Sequence, residues 1–273
     1  MRPLHILPAA VLALAVSGVA TGAAASTLRI TFENLAPAGG PSFTPVYTAF
    51  TNGTVDLFNV GDAASAGVEE LAELGSFGGV AGERVGQQAD SQGVPGLTQA
   101  ANGVPTIDAG ESVSANVVVG DKVTNQNFIF FSMVVSSNDT FIGTDDPAAF
   151  QLFDDSGVFL GPLEISIGFD ENNIFDAGTE VNDFSVDGGP AFAVGIDATN
   201  GTDENGTVQL TSGLGLLSDI QTPAGTFTTA GAALVNTPGV TLARITISEV
   251  PLPAPVFLLL GGLATLGFMR RRA

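Results

Sequence analysis

The chain of 273 residues has no cysteine and no tryptophan, one tyrosine and one histidine. Without cysteine, the fold cannot use disulfides or thiolate chemistry. The histidine, His5, lies in an N-terminal segment that we expect to be removed, so the remaining chain has no imidazole for a Ser/His/Asp relay or a zinc site. With no tryptophan and one tyrosine, the usual aromatic platforms for stacking a sugar ring are nearly absent. These absences exclude most common hydrolase mechanisms and leave carboxylates, hydroxyls, Lys122 and a hard metal ion.

Basic residues are also scarce. All 28 acidic residues lie between Ser26 and Val250, but only four of the eight basic residues do, so this part of the chain has a net charge of −24. Such a charge repels nucleic acid and anionic lipid surfaces and favours a soluble monomer. It also favours a divalent cation wherever carboxylates are crowded together.

Residues 1–25 have the pattern of a secretory signal peptide. Arg2 precedes an apolar stretch, and the small residues Ala23 and Ala25 suit signal peptidase. Cleavage there would leave Ser26 as the new N-terminus. We therefore expect an exported protein.

The C-terminal segment, residues 250–273, has three parts. Val-Pro-Leu-Pro-Ala is followed by an apolar run from Pro255 to Met269 and then by three arginines at 270–272. The run is about as long as a minimal membrane-spanning helix, and the arginines would hold its end on the cytoplasmic side. The alternative to a processed signal is a single-pass anchor that is never cut.

This tail resembles the PEP-CTERM sorting signal of exporting bacteria, in its VPLPA variant. The resemblance implies cleavage near the proline motif by a membrane protease of the exosortase type. It also implies a location in the cell envelope, on the outer surface or in the extracellular matrix of a Gram-negative bacterium. The segment would be a C-terminal transmembrane sorting helix.

Residues 26–249 are long enough for one large β domain or two small ones, and we expect one. Apolar residues alternate with period two in 28–32, 55–57 and 245–247, which indicates strands with one buried face. The fold class predicted is all-β, an antiparallel β-sandwich. Further strands are predicted over Val113–Val119, Phe128–Val135, Phe150–Leu160 and Glu164–Phe169.

One short surface helix is predicted beside these strands. It begins near Ala63 with Asp62 or Ser65 as its N-cap, and it ends at Gly75. The following segment, 78–102, is rich in glycine, glutamine and alanine without clear periodicity, so we predict a long loop with a single helical turn. The apolar face of the predicted helix consists of Val68, Leu71 and Ala72.

Three segments together resemble the spondin N-terminal domain. The first runs from Leu57 to Gly75 and contains Glu-Glu-Leu-Ala-Glu-Leu-Gly. The second, Ser132–Gly143, is a strand that ends in an Asn-Asp pair, and the third, Phe175–Asn182, is an acidic Asp-Ala-Gly-Thr-Glu loop. The resemblance implies a sandwich similar to calcium-dependent lipid-binding modules, with one Ca²⁺ held between loops at one end.

The resemblance also implies which residues bind the ion. Calcium takes six to eight oxygen ligands, and Gly178 would let the acidic loop turn so that its carboxylates point inward. The alternative interpretation is that the two aspartates cap turns through Asx hydrogen bonds. Two other acidic stretches, 170–173 and 197–204, lack the order of a helix-loop-helix calcium site and are predicted as solvated turns. The implied ligands are Asp139, Asp176 and Glu180, with the carbonyl of Phe175.

These features favour a non-enzymatic surface or matrix protein. The expected function is adhesion, or interaction with surface proteins or exopolysaccharide, by a calcium-stabilised module that meets the membrane only through its C-terminal helix. The alternative is a carboxylate- or metal-dependent hydrolase of extracellular glycan. Its two carboxylates, about 5–10 Å apart, would be Asp139 with Glu180 or Asp170. A third possibility is a passive matrix component without a specific ligand.

Overall fold

The computed structural model describes residues 26–98, 105–182, 201–211, 220–222 and 225–251. The predicted signal peptide and most of the predicted sorting tail lie outside these residues. Within the described ranges, no helix is long and apolar enough to cross a membrane. The α-helices are α1 (Ala66–Leu74), α2 (Gly78–Gln87) and α3 (Thr229–Ala233). The strands are β1 (Ser26–Asn34), β2 (Ser42–Phe43), β3 (Val46–Thr51), β4 (Gln92–Leu97), β5 (Ser112–Val119), β6 (Asn127–Val135), β7 (Thr140–Gly143), β8 (Leu163–Gly168), β9 (Ile174–Asp176), β10 (Gln209–Leu210), β11 (Ile220–Thr222), β12 (Gly225–Phe227) and β13 (Thr241–Glu249).

The strands form two main antiparallel sheets. The first has the order β5-β1-β13-β8. The second has the order β10-β9-β7-β6-β3-β4, and β2 also pairs with β6. A separate two-stranded ladder joins β11 and β12. The prediction of an antiparallel β-sandwich is confirmed.

The larger hydrophobic cluster contains residues from both sheets. Leu28, Ile30 and Phe32 of β1 are fully buried, as their alternation predicted. Ile245 and Ile247 of β13 are fully buried in the same cluster, together with phenylalanines of β3 and β6. Alternation with period two therefore identified the inner faces of the two strands that pair along most of their length.

The outer face of the second sheet is covered by α1 and α2, so β6 is buried along all nine residues. This confirms the prediction that Phe128–Val135 is a central strand covered on both sides. A second cluster fills the space between the sheet and the helices. Its aromatic centre is Phe58, Phe131, Phe141 and Phe175.

Helix α1 has the C-terminal end, and one of the two alternative N-caps, that its sequence predicts. The Ser65 side chain accepts a hydrogen bond from the backbone N–H of Val68 at 3.2 Å, and Gly75 ends the helix with φ of 67°. The helix starts at Ala66 rather than near Ala63 because Ser65, and not Asp62, is the N-cap.

The prediction of one short helix is wrong, because α2 and α3 are helices as well. The ten residues of α2 include four glycines and bury only Val80 and Arg84, so the segment lacks the apolar periodicity on which the prediction depended. One of these glycines, Gly79, has a packing role. A Cβ on Gly79 would lie 2.6 Å from the Cα of Gly67 in α1, so the two helices meet backbone to backbone.

Two predicted strands are absent from the described structure. Val55 and Leu57 are buried but belong to an extended segment without a ladder partner. Residues 150–160 contain only isolated bridges, such as Phe153 with Phe159, because a turn at Asp154 interrupts the segment. In both segments apolar residues are buried by loops rather than by strands.

The sandwich has two distinct ends. At the first, the amide side chain of Gln92 donates to the carbonyl of Val118 at 2.7 Å, and the N–H of Val250 donates to the carbonyl of Thr27 at 2.8 Å. We call this the exit end, since the chain leaves the domain there. The opposite end, at the close of β6, is the loop end. The nine residues of β6 separate the two ends by roughly 27 Å.

Candidate metal-binding site

The turn between β6 and β7, at the loop end, is polar and yet buried. Residues 136–139 have no exposed surface. The hydroxyl of Ser137 donates to the carbonyl of Val134 at 2.6 Å and accepts from the N–H of Thr140 at 3.1 Å. Buried polar groups are costly unless they are hydrogen-bonded, and these bonds fix the conformation of the turn. They also fix the position of Asp139.

The carboxylate of Asp139 joins this turn to the acidic loop. Its Oδ2 accepts from the backbone N–H of Thr179 at 2.8 Å and of Glu180 at 3.2 Å. Its backbone carbonyl accepts from the N–H of Ala177 at 3.1 Å. The other carboxylate oxygen, Oδ1, is buried and has no hydrogen-bond partner among the described residues. One half of this carboxylate is therefore bound by the fold and the other half is left without a donor.

This environment makes the ionised form of Asp139 costly. Burial raises the pKa of its carboxyl from 3.8 to about 7, and the negative charges of Asp176 and Glu204 act in the same direction. The N–H groups of Glu180 and Thr179 oppose the rise. A cation beside Oδ1 would offset both the burial and the repulsion.

The acidic loop is held by Asp176. Its Oδ1 accepts from the N–H of Gly178 at 2.9 Å, which is an Asx turn, and its Oδ2 accepts from the side-chain amide of Asn182 at 2.8 Å. Gly178 has φ of 66°, and a Cβ there would approach the backbone of Thr207 to 2.6 Å. The glycine is therefore required both for the turn and for the contact with the neighbouring segment. The Asx interpretation describes Asp176 but not Asp139, whose Oδ2 bonds across the fold.

Glu180 contributes mainly through its backbone. Its side chain is buried, and its carboxylate lies where a Cβ on Gly201 would be, so it faces the segment 201–206. That segment pairs with the acidic loop, since the N–H of Glu204 donates to the carbonyl of Thr179 at 2.7 Å. The structure thus brings Asp139, Asp176 and the backbone of Glu180 together and directs the carboxylate of Glu180 towards the next loop.

Phe175 is anchored in the hydrophobic core. Its ring lies 4.8 Å from that of Phe58 and 5.4 Å from that of Phe141, measured between centroids. Its backbone lies between two ladder partners, Phe141 in β7 and Leu210 in β10. The residue therefore holds Asp176, its neighbour in the chain, at the edge of the core.

Three oxygen-bearing side chains near Asp176 were not predicted from the sequence. Thr140 lies directly opposite Asp176 in the β7–β9 ladder, and Asn182 donates to Asp176. The Oγ1 of Thr140 and the Oδ1 of Asn182 are buried and have no partner within the described chain. The third is Glu204, which acts on Asp139 through its charge. Only the Asp176-Asn182 spacing within one acidic loop gave a signal that was available in advance.

Helix α1 borders the site from the outer layer. Burial raises the pKa of Glu73, a hydrogen bond from the side chain of Thr179 lowers it, and the charges of Glu69 and Asp203 raise it further. Asp203 and Glu204 are exposed, as predicted for a solvated turn. The site is therefore surrounded by negative charge on the helix side and on the solvent side.

The oxygen atoms at this site are of the kind that bind a hard cation. In the described ranges, no three acidic, histidine or cysteine side chains are arranged to hold a metal ion. The oxygens that lack partners are a carboxylate oxygen of Asp139, a hydroxyl of Thr140 and an amide oxygen of Asn182, next to the carboxylate of Asp176. Calcium uses carboxylate, amide, carbonyl and water oxygens together, so these residues fit it better than they fit softer metals.

No model of a known protein family matches the chain, and no curated protein matches it either.

Proposed function

We propose that this protein is an exported, non-enzymatic module of the cell surface or extracellular matrix, whose loop end is stabilised by one calcium ion. Adhesion, or interaction with surface proteins or exopolysaccharide, is its function. The spondin-like segments and the VPLPA-type tail support the class and the location. A protease of the exosortase type would act on the tail.

The proposal of a calcium site rests on one observation about Asp139. The carboxylate of Asp139 is fully buried, one of its oxygens has no donor among the described residues, and the charge of Asp176 acts on it. An ion held by Asp139 and Asp176, with the neutral oxygens of Thr140 and Asn182, would satisfy these acceptors. It would also link the β6–β7 turn to the acidic loop.

Burial of Asp139 favours a structural role over a catalytic one. A glycosidase carboxylate must touch the glycosidic oxygen or a water beside the sugar ring. The carboxylate of Asp139 has no exposed surface, and Asp170 accepts a hydrogen bond from the N–H of Gly239 at 2.6 Å, outside the cluster around Asp139. The hydrolase alternative therefore lacks an accessible pair built around Asp139.

The partner surface follows from the loops that the ion would join. Residues 202–205 are exposed and pair with the acidic loop that contacts Asp139. Their conformation would then depend on the ion, so partner binding is expected to require calcium. Pull-down from a cell-surface extract, with calcium and with EDTA, tests this: recovery of the same partners under both conditions would contradict it.

Thermal unfolding of the purified protein tests the metal directly. Calcium at a hundred times its dissociation constant should stabilise the fold by about 2.7 kcal/mol, and EDTA should remove that increment. Asp139→Asn should abolish the calcium response, whereas Asp90→Asn, at an exposed acidic residue outside the site, should keep it. A melting temperature that neither EDTA nor millimolar calcium moves would rule out the calcium site.

A further inference from the structure

Four exposed aliphatic side chains lie at the end of the sandwich from which the chain leaves. Val118 is 55% exposed, Val123 51%, Val158 59% and Leu160 58%. Each is therefore more than half open to solvent, although it is a large apolar residue. We call these four residues the exit patch.

The ladder at the exit end relates this patch to the end of the domain. Thr27 lies opposite Val118, and its carbonyl accepts the hydrogen bond from Val250. Leu163, three positions after the last residue of the patch, is paired with Ile247 in β13. Val118 and Leu160 therefore lie at the same end of the sheet as the last residues of β13.

The other two members lie beside the first strand. The ammonium of Lys122, the residue before Val123, donates to the hydroxyl of Ser26 at 3.3 Å. A Cβ on Gly157, the residue before Val158, would lie 3.7 Å from the side chain of Val123. All four side chains thus belong to one end of the molecule, where β1 begins and β13 finishes.

The distance from this end to the predicted membrane helix is short. Four residues, 251–254, separate Val250 from the apolar run that begins at Pro255. Four extended residues span at most about 14 Å. The headgroup layer on one side of a bilayer is about 5–8 Å thick. A membrane-spanning helix that began at Pro255, as the sequence predicts, would therefore keep the exit end within reach of the headgroups.

We propose that the exit end lies against the outer surface of the membrane while the tail is uncut, with the exit patch seated in the headgroup layer. This proposal depends on the membrane insertion of the tail that the proposed function includes. It extends membrane contact from the helix to the domain itself. It also gives the domain a fixed direction, since Asp139 lies at the opposite end, roughly 27 Å along β6.

The charges at the exit end select the kind of lipid surface. Asp154 accepts hydrogen bonds from the N–H groups of Ser156 and Val158, and Asp121 accepts from the N–H of Val123, so both acids fix the turns that carry the patch. Asp155 is exposed beside them. Anionic headgroups would be repelled by these carboxylates, so the surface is a zwitterionic one.

The lack of cysteine makes a direct test possible, because each introduced cysteine is the only one in the chain. In this test, full-length Val158→Cys and Leu160→Cys are each labelled with one environment-sensitive fluorophore. The labelled proteins are reconstituted into phosphatidylcholine vesicles with brominated acyl chains. The matched control is Leu74→Cys, which is 43% exposed at the end of α1. The next residue, Gly75, abuts Thr44, whose hydroxyl accepts from the N–H of Met133 near the close of β6.

Lipid quenching should be several-fold stronger at positions 158 and 160 than at position 74. In vesicles that contain anionic lipid the difference should shrink. Equal quenching at the three positions would overturn the proposal, because the domain would then have no preferred orientation. Shielding of the patch from aqueous iodide without lipid quenching would also overturn it, since a second copy or the chain's own tail would then cover the patch.

Flotation of the vesicles separates this proposal from the one on which it depends. Failure of the full-length protein to float would show that the tail does not insert, and would overturn both the orientation and the membrane stage of sorting. The calcium-dependent melting temperature, measured on the same samples, reports on the loop end independently. It also verifies that each labelled variant is folded.

Discussion

Asp139 is a buried acid with a raised pKa, and this makes the stability of the metal-free protein depend on pH. Its carboxyl titrates near 3.8 when unfolded and at about 7 when folded, so the folded state binds the proton more tightly. In EDTA, the contribution of this carboxyl to the free energy of unfolding should be fully present below about pH 4 and should be lost as the pH rises to about 7. At 1.36 kcal/mol per pKa unit, the loss is about 4 kcal/mol.

Urea unfolding across this pH range, in EDTA, measures the effect. Asp139→Asn should flatten the profile and make the metal-free protein more stable than the wild type above about pH 7, because the amide carries no charge. Asp90→Asn serves as the matched control and should leave the profile unchanged. A wild-type profile without a fall between these pH values would mean that the carboxyl of Asp139 is not perturbed.

Gly178 and Gly110 form a matched pair of glycines for measuring the effect of an alanine substitution on stability. Both have positive φ, at 66° and 84°, but a Cβ on Gly178 would meet the backbone of Thr207, whereas nothing lies within 4 Å of one on Gly110. Alanine at either position costs about 1–2 kcal/mol for the left-handed conformation. Gly178→Ala should cost more and should also weaken the response to calcium. Equal losses, measured by urea unfolding, would show that the contact with Thr207 contributes nothing.

The helices and strands that have a local sequence pattern could be predicted, whereas the helix that depends on a tertiary contact could not. The alternation in β1 and the continuous apolar run in β6 identified both strands because burial on one face or two leaves a direct pattern. The caps of α1 fixed its end in the same way. Helix α2 has no such pattern: it is rich in glycine, which has a low helix propensity, and only its Gly79 is required by the close approach of α1.

The candidate site shows the same division. The spondin-like segments predict that Asp139 and Asp176 lie close together. In the structure they do, because the turn that contains Asp139 contacts the loop that contains Asp176, 37 residues later in the chain. Glu204 and the unpartnered hydroxyl of Thr140 could not be found in advance. Their role depends on a pairing between the loop end of the sheet and segment 201–206, which no local pattern reports.

The packing of α1 against α2 gives a prediction with two glycines of the same helix. Gly79→Ala places a Cβ 2.6 Å from the Cα of Gly67, so it must separate the helices and destabilise the protein. A Cβ on Gly82 meets nothing within 4 Å, so Gly82→Ala should stabilise it by about 0.5–1 kcal/mol through helix propensity. Opposite shifts in the thermal midpoint are expected. Shifts of the same sign would contradict the close contact.

At the scale of the whole molecule, the ends of the sandwich carry different chemistry. The exit end presents the four aliphatic side chains that are more than half exposed, beside the start of β1 and the finish of β13, while the loop end gathers carboxylates from turns that are distant in sequence. Membrane contact and partner contact would therefore occur at opposite ends of the sandwich. Neither would obstruct the other.

The net charge of −24 between Ser26 and Val250 means that two different effects of added salt must be separated. Sodium chloride screens repulsion among all the carboxylates, so in EDTA the melting temperature should rise gradually as the ionic strength increases, in the wild type and in Asp139→Asn alike. Calcium should raise it further at a matched ionic strength, and only in the wild type, because that increment comes from an ion held at Asp139. Differential scanning calorimetry with paired sodium and calcium buffers measures both. If calcium and sodium gave equal shifts at equal ionic strength, screening alone would explain the response and the loop end would hold no specific ion.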